Sequence, residues 1–159
     1  MDLRDKLLES FESEDDLAIV VRTHIVIENY LRELVCSFLA NEKYFENAKL
    51  EYSQVVQLSL AVGLQPRFES ILKAIGKLRN NFAHKYRDSL NKSDVKNLYN
   101  ALSKDEKENL QKTTKKVAEE LDLDPNKHSD FDIRQQFINI SVMLAAVLQK
   151  ACKEASERA

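Results

Sequence analysis

The chain has 159 residues, of which 43% are hydrophobic and 31% charged, and carries a formal charge of −2. That length fits one domain, residues 1–159, able to bury a real core, and the composition is that of an ordinary soluble globular protein. Two glycines and two prolines are too few to build many turns, which argues against short strands and for long helices.

In chain order, Leu3–Phe11 is expected to form a short helix with Leu3, Leu7, Leu8 and Phe11 on one side. The acids around Ser13–Asp16 suit the N-terminus of a long second helix, where the macrodipole favours negative charge. Along it Leu17, Val20, His24, Ile27, Leu31, Leu34 and Phe38 recur at steps of three and four, a core-facing stripe reaching to about Leu39. Asn41–Tyr52 reads as a charged connection. Ser53–Val62 is a short third helix, with Gly63 as its C-cap. Pro66 suits the first turn of a fourth helix, whose stripe is Phe68, Ile71, Leu72, Ile75 and Leu78. It delivers Arg79 in its last turn, with Asn80 and Asn81 as exit residues unless the helix continues through Phe82.

Ser93 or Asp94 caps a further helix to Leu102. Ser103-Lys104-Asp105-Glu106 then reads as a capping box opening a helix to about Leu121. This helix is heavily charged, with Leu110, Val117 and Leu121 as its few apolar anchors, and should lie on the surface. Leu123–Ser129 is a loop around Pro125. A last helix begins at Asp130, with Ile133, Phe137, Ile140, Leu144, Val147 and Ala151 facing the core. No strand alternation or internal repeat occurs. The expectation is an all-α protein, a single antiparallel bundle of about six to seven helices.

The two cysteines, Cys36 and Cys152, form no ligand cluster and suggest a reducing compartment. The start of the chain lacks the pattern of a secretory signal, and no apolar run approaches a membrane span. A cytoplasmic protein with no membrane partner is expected.

Charge is unevenly placed. Met1–Asp16 holds seven acids and two bases, whereas Arg67–Lys92 holds seven bases and two acids. The basic segment contains Arg79-Asn80-Asn81-Phe82-Ala83-His84-Lys85-Tyr86, which concentrates a permanent cation, two amides, a histidine and a phenol. Such a set can bind a phosphate and move protons. Lys77, Asn81, Lys85, Tyr86 and Arg87 are the accompanying candidates for phosphate or RNA contact. The same residues are also suited to satisfying carbonyls and acids at a helix C-terminus. His24 is read first as a hydrogen-bonded core histidine, and secondarily as a group that could reach the motif. Glu28 and Arg32 have the spacing of an i, i+4 ion pair. His128 has no neighbouring Cys or His. No zinc spacing, Gly-rich phosphate loop or paired-glycine fingerprint occurs, so neither metal nor cofactor is expected. No helix-turn-helix signal for direct major-groove reading is evident.

The string Arg79-Asn80-x-Phe82-Ala83-His84-x-Tyr86, ending an amphipathic helix, resembles the Arg-x(4–6)-His motif of the HEPN superfamily (the higher-eukaryote and prokaryote nucleotide-binding domains). Together with the long N-terminal helix and Ala61-Val62-Gly63-Leu64, it is most similar to the mannitol operon repressor-like branch, over roughly Leu17 to Leu102. The resemblance implies metal-independent RNA cleavage. His84 would be the general acid/base, Arg79 would hold the scissile phosphate, and Asn80 would orient one of them. It also implies a homodimer that brings two motifs to a shared cleft. The motif is further similar to that of toxins paired with nucleotidyltransferase antitoxins, which would make Tyr86 a modification site. Two functions follow as expectations: an RNA-directed module, with endoribonuclease activity of toxin or defence type; or a non-catalytic regulator of the mannitol operon repressor-like type, acting through a protein partner (an antitoxin or a transcription factor) or through nucleic acid.

Overall fold

The computed structural model describes residues 3–12, 15–120, 122 and 127–158. Among these there are eight α-helices and no strand: α1 Leu3–Ser10, α2 Asp16–Cys36, α3 Glu42–Asn47, α4 Tyr52–Ala61, α5 Glu69–His84, α6 Lys92–Ala101, α7 Lys104–Glu120 and α8 Ile133–Arg158. Single turns of 3-10 helix occupy Pro66–Phe68 and His128–Asp130. The chain is an all-α bundle, and one continuous apolar core draws residues from all eight helices.

The centre of the bundle is α2, which packs against α1, α4, α5 and α8. Being covered on several sides, it buries two rows instead of one. Val20, His24, Ile27, Leu31 and Leu34 form the expected stripe, and Ile19, Thr23, Val26 and Tyr30 are buried beside it. The stripe's ends behave differently. Leu17 is exposed, and so is Phe38, since α2 stops at Cys36. Leu8 of α1 is likewise exposed while Leu7 fills the core. The acidic start of α2 acts as expected where it is described. Asp15 accepts the N–H of Leu17 at 2.9 Å, and Asp16 accepts that of Leu90 at 2.8 Å and pairs with Arg134 at 3.6 Å. Ser13 and Glu14 lie outside the described residues.

The Asn41–Tyr52 connection is not simply a link. It holds α3, seated by Phe45, over whose ring the Arg32 guanidinium lies at 5.9 Å. At the end of α4, Gly63 adopts φ +117°, and the N–H groups of Gly63 and Leu64 reach back to Leu60 and Ser59, a Schellman closure. Capping of α6 falls to Asn91 rather than Ser93: Asn91 accepts the Asp94 N–H at 3.0 Å, and Asp94 accepts the Asn91 N–H at 2.8 Å.

Helix α7 opens at Ser103, whose hydroxyl donates to Glu106. It is less superficial than its charge suggests, because one face carries Glu106, Leu110, Thr114 and Ala118 into the protein. Glu106 tolerates this burial through Arg67, 3.2 Å away. The side chain of Val117, Leu121 and residues 123–126, with Pro125, lie outside the described residues. Helix α8 starts at Ile133, three residues past Asp130, and just before it Asp132 accepts the Gln135 N–H at 2.7 Å. No helix among the described residues is long and apolar enough to cross a membrane.

Candidate functional site

The amphipathic helix α5 buries Ile71, Leu72, Ile75, Leu78 and Phe82 and turns its polar side outward. Phe82 is 1% exposed, and anchoring it in the core carries the helix past the asparagines. The whole motif is therefore helical. Arg79 lies in the body of α5 rather than in its last turn, and Asn80 and Asn81 are not exit residues. The helix closes at Lys85, whose N–H reaches Asn81 O at 3.1 Å, and Tyr86 leaves it in the left-handed region at φ +49°.

A cleft of about 1190 Å³ runs between α4 and α5, with His24 and Glu28 of α2 in its wall. Arg79, Asn80, Asn81 and Lys77 line it from α5, joined by Lys73 and Gly76. The opposite wall is α4, with Tyr52, Ser53, Gln54 and Gln57. His84 is not part of this lining. Five residues beyond Arg79, it is rotated by about 140° and displaced by about 7.5 Å along the helix. It follows Lys77 and Asn80 at helical spacing instead, so Lys73, Lys77, Asn80 and His84 form one line running out of the cleft along α5. His84, Lys85 and Tyr86 are all exposed, Tyr86 to 98%.

The cations differ in how free they are. Lys73 is paired with Glu69 at 2.6 Å. Arg79 donates to Asn80 Oδ1 at 3.0 Å, and among the described residues no carboxylate pairs with it or with Lys77. Arg87 is committed elsewhere. Its guanidinium grips Asp94 with both arms, donates to Ser89 O at 3.1 Å and lies over Phe82 at 4.7 Å. That fork-to-fork pairing leaves little of Arg87 for a phosphate.

The α2 wall is a chain of polar contacts. Arg32 donates to Glu28 Oε1 through Nε at 3.0 Å and Nη2 at 2.6 Å, and to Leu50 O at 2.7 Å, so the expected ion pair also ties α2 to the start of α4. The second oxygen of Glu28 stands 3.8 Å from His24 Nδ1. The His24 ring lies on Tyr52, with centroids 4.3 Å apart, and Tyr52 donates to Leu72 O at 2.8 Å. Burial holds the pKa of His24 below its ordinary value; Glu28 pulls it up and Arg79 pushes it down. The core and site readings of His24 coincide, since it is 6% exposed yet reaches the cleft.

Sequence reasoning did not assign the α4 wall, Tyr52 above all. The available signal was Gly76, a glycine inside a helix, which marks a close approach. Away from the cleft, His128 is buried and stacked on Tyr99 at 5.5 Å. Cys36 and Cys152 are free thiols, and Cys152 donates to Tyr30 O at 3.2 Å. Among the described residues no three His, Cys, Asp or Glu side chains are grouped to hold a metal. Comparison of the chain with protein-family models, curated proteins and solved structures finds no match.

Proposed function

We propose that this protein is a HEPN-type, RNA-directed module of the cytoplasm, acting as a homodimer and cleaving RNA without a metal. The observation that carries the reading is the convergence of Arg79, Asn80, Asn81 and Lys77 on one cleft, with Arg79 and Lys77 unneutralised by any described carboxylate. Two such cations and two amides suit a ribose-phosphate backbone, which offers acceptors to Arg and Lys and both donors and acceptors to Asn. Arg79 holds the scissile phosphate and stabilises the charge that develops on it. His84, at the outer end of the same line of side chains, exchanges the proton. Tyr86 is exposed enough to accept a modifying group.

The exposure of His84 outside the cleft favours a second reading, a regulator of the mannitol operon repressor-like type that binds RNA or a protein partner without turnover.

Incubation of bulk RNA with wild type and His84→Ala in excess EDTA separates the two. Cleavage that survives EDTA, leaves cyclic phosphate ends and is lost in the variant supports the nuclease. Intact RNA in all conditions, with retained binding, leaves the regulator. Sedimentation of the wild type tests the dimer.

A further inference from the structure

A metal-independent cleavage of RNA needs one group to take the 2′-OH proton and another to protonate the departing 5′-oxygen, and the motif's own histidine, His84, lies outside the cleft that Arg79 lines. The wall of the cleft holds a second. His24 stands on α2, across from Arg79 of α5. Its Nδ1 faces Glu28 Oε2 at 3.8 Å, beyond hydrogen-bond length and within ion-pair reach. A carboxylate on that side favours the tautomer with hydrogen on Nδ1, leaving Nε2 as the acceptor. Glu28 is itself fixed, because Arg32 holds its other oxygen at 2.6 Å and is anchored to Leu50 O. Tyr52 holds the ring from α4 at 4.3 Å, and is in turn tied to Leu72 O. A histidine oriented by a carboxylate that is oriented by an arginine is the pattern of a positioned base and its support. The ordinary core histidine has no need of it.

We infer that His24 is the general base of the cleft, with Glu28 as the positioning residue. The inference rests on the cleavage reading above. Neutral His24 takes the proton of the 2′-OH at Nε2. The 2′-oxygen forms a bond to the phosphorus held by Arg79, and the bond from phosphorus to the 5′-oxygen breaks. The 5′-oxygen takes a proton from the His84 of a second copy in the homodimer, since the His84 of the same chain lies outside the cleft. Solvent then resets both histidines, and the products are a 2′,3′-cyclic phosphate and a 5′-hydroxyl. The charged and titratable groups facing His24 are Glu28 from α2, Arg79 from α5 and Tyr52 from α4. Burial and Arg79 favour the neutral base and Glu28 opposes them.

The test is the pH profile of cleavage of a short single-stranded RNA by wild type, Glu28→Gln, His24→Gln and His84→Ala, all full length and checked for cooperative melting. A bell-shaped wild-type profile is expected. Glu28→Gln keeps an acceptor for Arg32 but loses the charge that raises the base, so its acidic limb should move down by about half a unit to one unit while its basic limb stays. His24→Gln should lose at least about 100-fold in rate. A structural role for Glu28 would scale the rate without moving either limb. If the wild type cleaves and both limbs of Glu28→Gln coincide with its own, the inference is overturned and the nuclease reading stands. If His24→Gln folds and cleaves at the wild-type rate, the result is the same. If the wild type leaves the RNA whole at every pH, both fall.

Discussion

Tyr52 lies where a side chain at Gly76 would have to be. A methyl group on Gly76 would stand 2.8 Å from Tyr52 Cε1 and 3.0 Å from Cδ1. The ring cannot simply swing away, because its hydroxyl is bound to Leu72 O and its face is against His24. The absence of a Cβ in the middle of α5 is what lets α4 close on α5 and bring the aromatic pair to the cleft.

Gly76→Ala is therefore expected to destabilise the protein by about 1–2 kcal/mol, although alanine is the better helix former by about 1 kcal/mol. In a Tyr52→Leu background the same change should become neutral or stabilising. Urea unfolding of the four proteins of this double-mutant cycle gives the coupling; equal effects of Gly76→Ala in both backgrounds would show that the ring is not the obstacle.

Arg87 and Asp94 join the exit of α5 to the cap of α6. Asp94→Ala removes the partner of a part-buried guanidinium and half of a capping box, so a loss of about 2–4 kcal/mol is expected. Thermal and urea unfolding measure it, and a loss within experimental error would mean that the pair is solvated in solution.

Arg79 and Arg87 of the basic segment should separate in an RNA-binding titration at several salt concentrations. Arg79→Ala and Lys77→Ala should each weaken binding and flatten the slope of log K against log salt by about 0.7–1, the contribution of one phosphate contact. Arg87→Ala, whose side chain is held by Asp94, should leave that slope unchanged. A slope change in Arg87→Ala equal to that in Arg79→Ala would place the RNA further along the chain.

His128 offers a pH test independent of the cleft. It is 8% exposed, neither ring nitrogen has a hydrogen-bond partner among the described residues, and Lys107 lies near the same Tyr99 ring. Burial lowers its pKa from 6.5, so below about pH 6.5 the unfolded chain takes up a proton that the folded chain refuses. Stability from this source is complete above pH 6.5 and is lost as pH falls toward the folded pKa. His128→Phe keeps the stack and removes the titration, so its Tm should fall less than the wild type's between pH 7.5 and 5.5, a window of about one unit on each side of the ordinary value. Parallel curves would assign the acid sensitivity to other groups.

Much of this bundle is legible from periodicity, because Val20, Ile27, Leu31 and Leu34, or Ile71, Ile75 and Leu78, face one side with nothing to confuse the pattern. Helix α3 escapes, since Phe45 is a lone apolar anchor among charges and a single residue has no period. Leu8, Leu17 and Phe38 fit their stripes and still meet solvent, because periodicity names the side of a helix and not which of its positions a neighbour covers. The motif was visible in sequence, whereas the cleft was not. His24, Tyr52 and Arg79 sit on three helices, and their meeting depends on packing angles that no local pattern encodes. Within the motif, a continuous helix sets Arg79 and His84 on different faces.

Tyr86 ends α5 at φ +49°, a conformation that disfavours a side chain by roughly 1 kcal/mol relative to glycine. Tyr86→Gly should accordingly make the protein slightly more stable, and the phenol, 98% exposed, contributes nothing evident to the core. A bulky aromatic at this helix stop works against the preference of its own backbone, and its phenol is open to whatever meets that surface from outside.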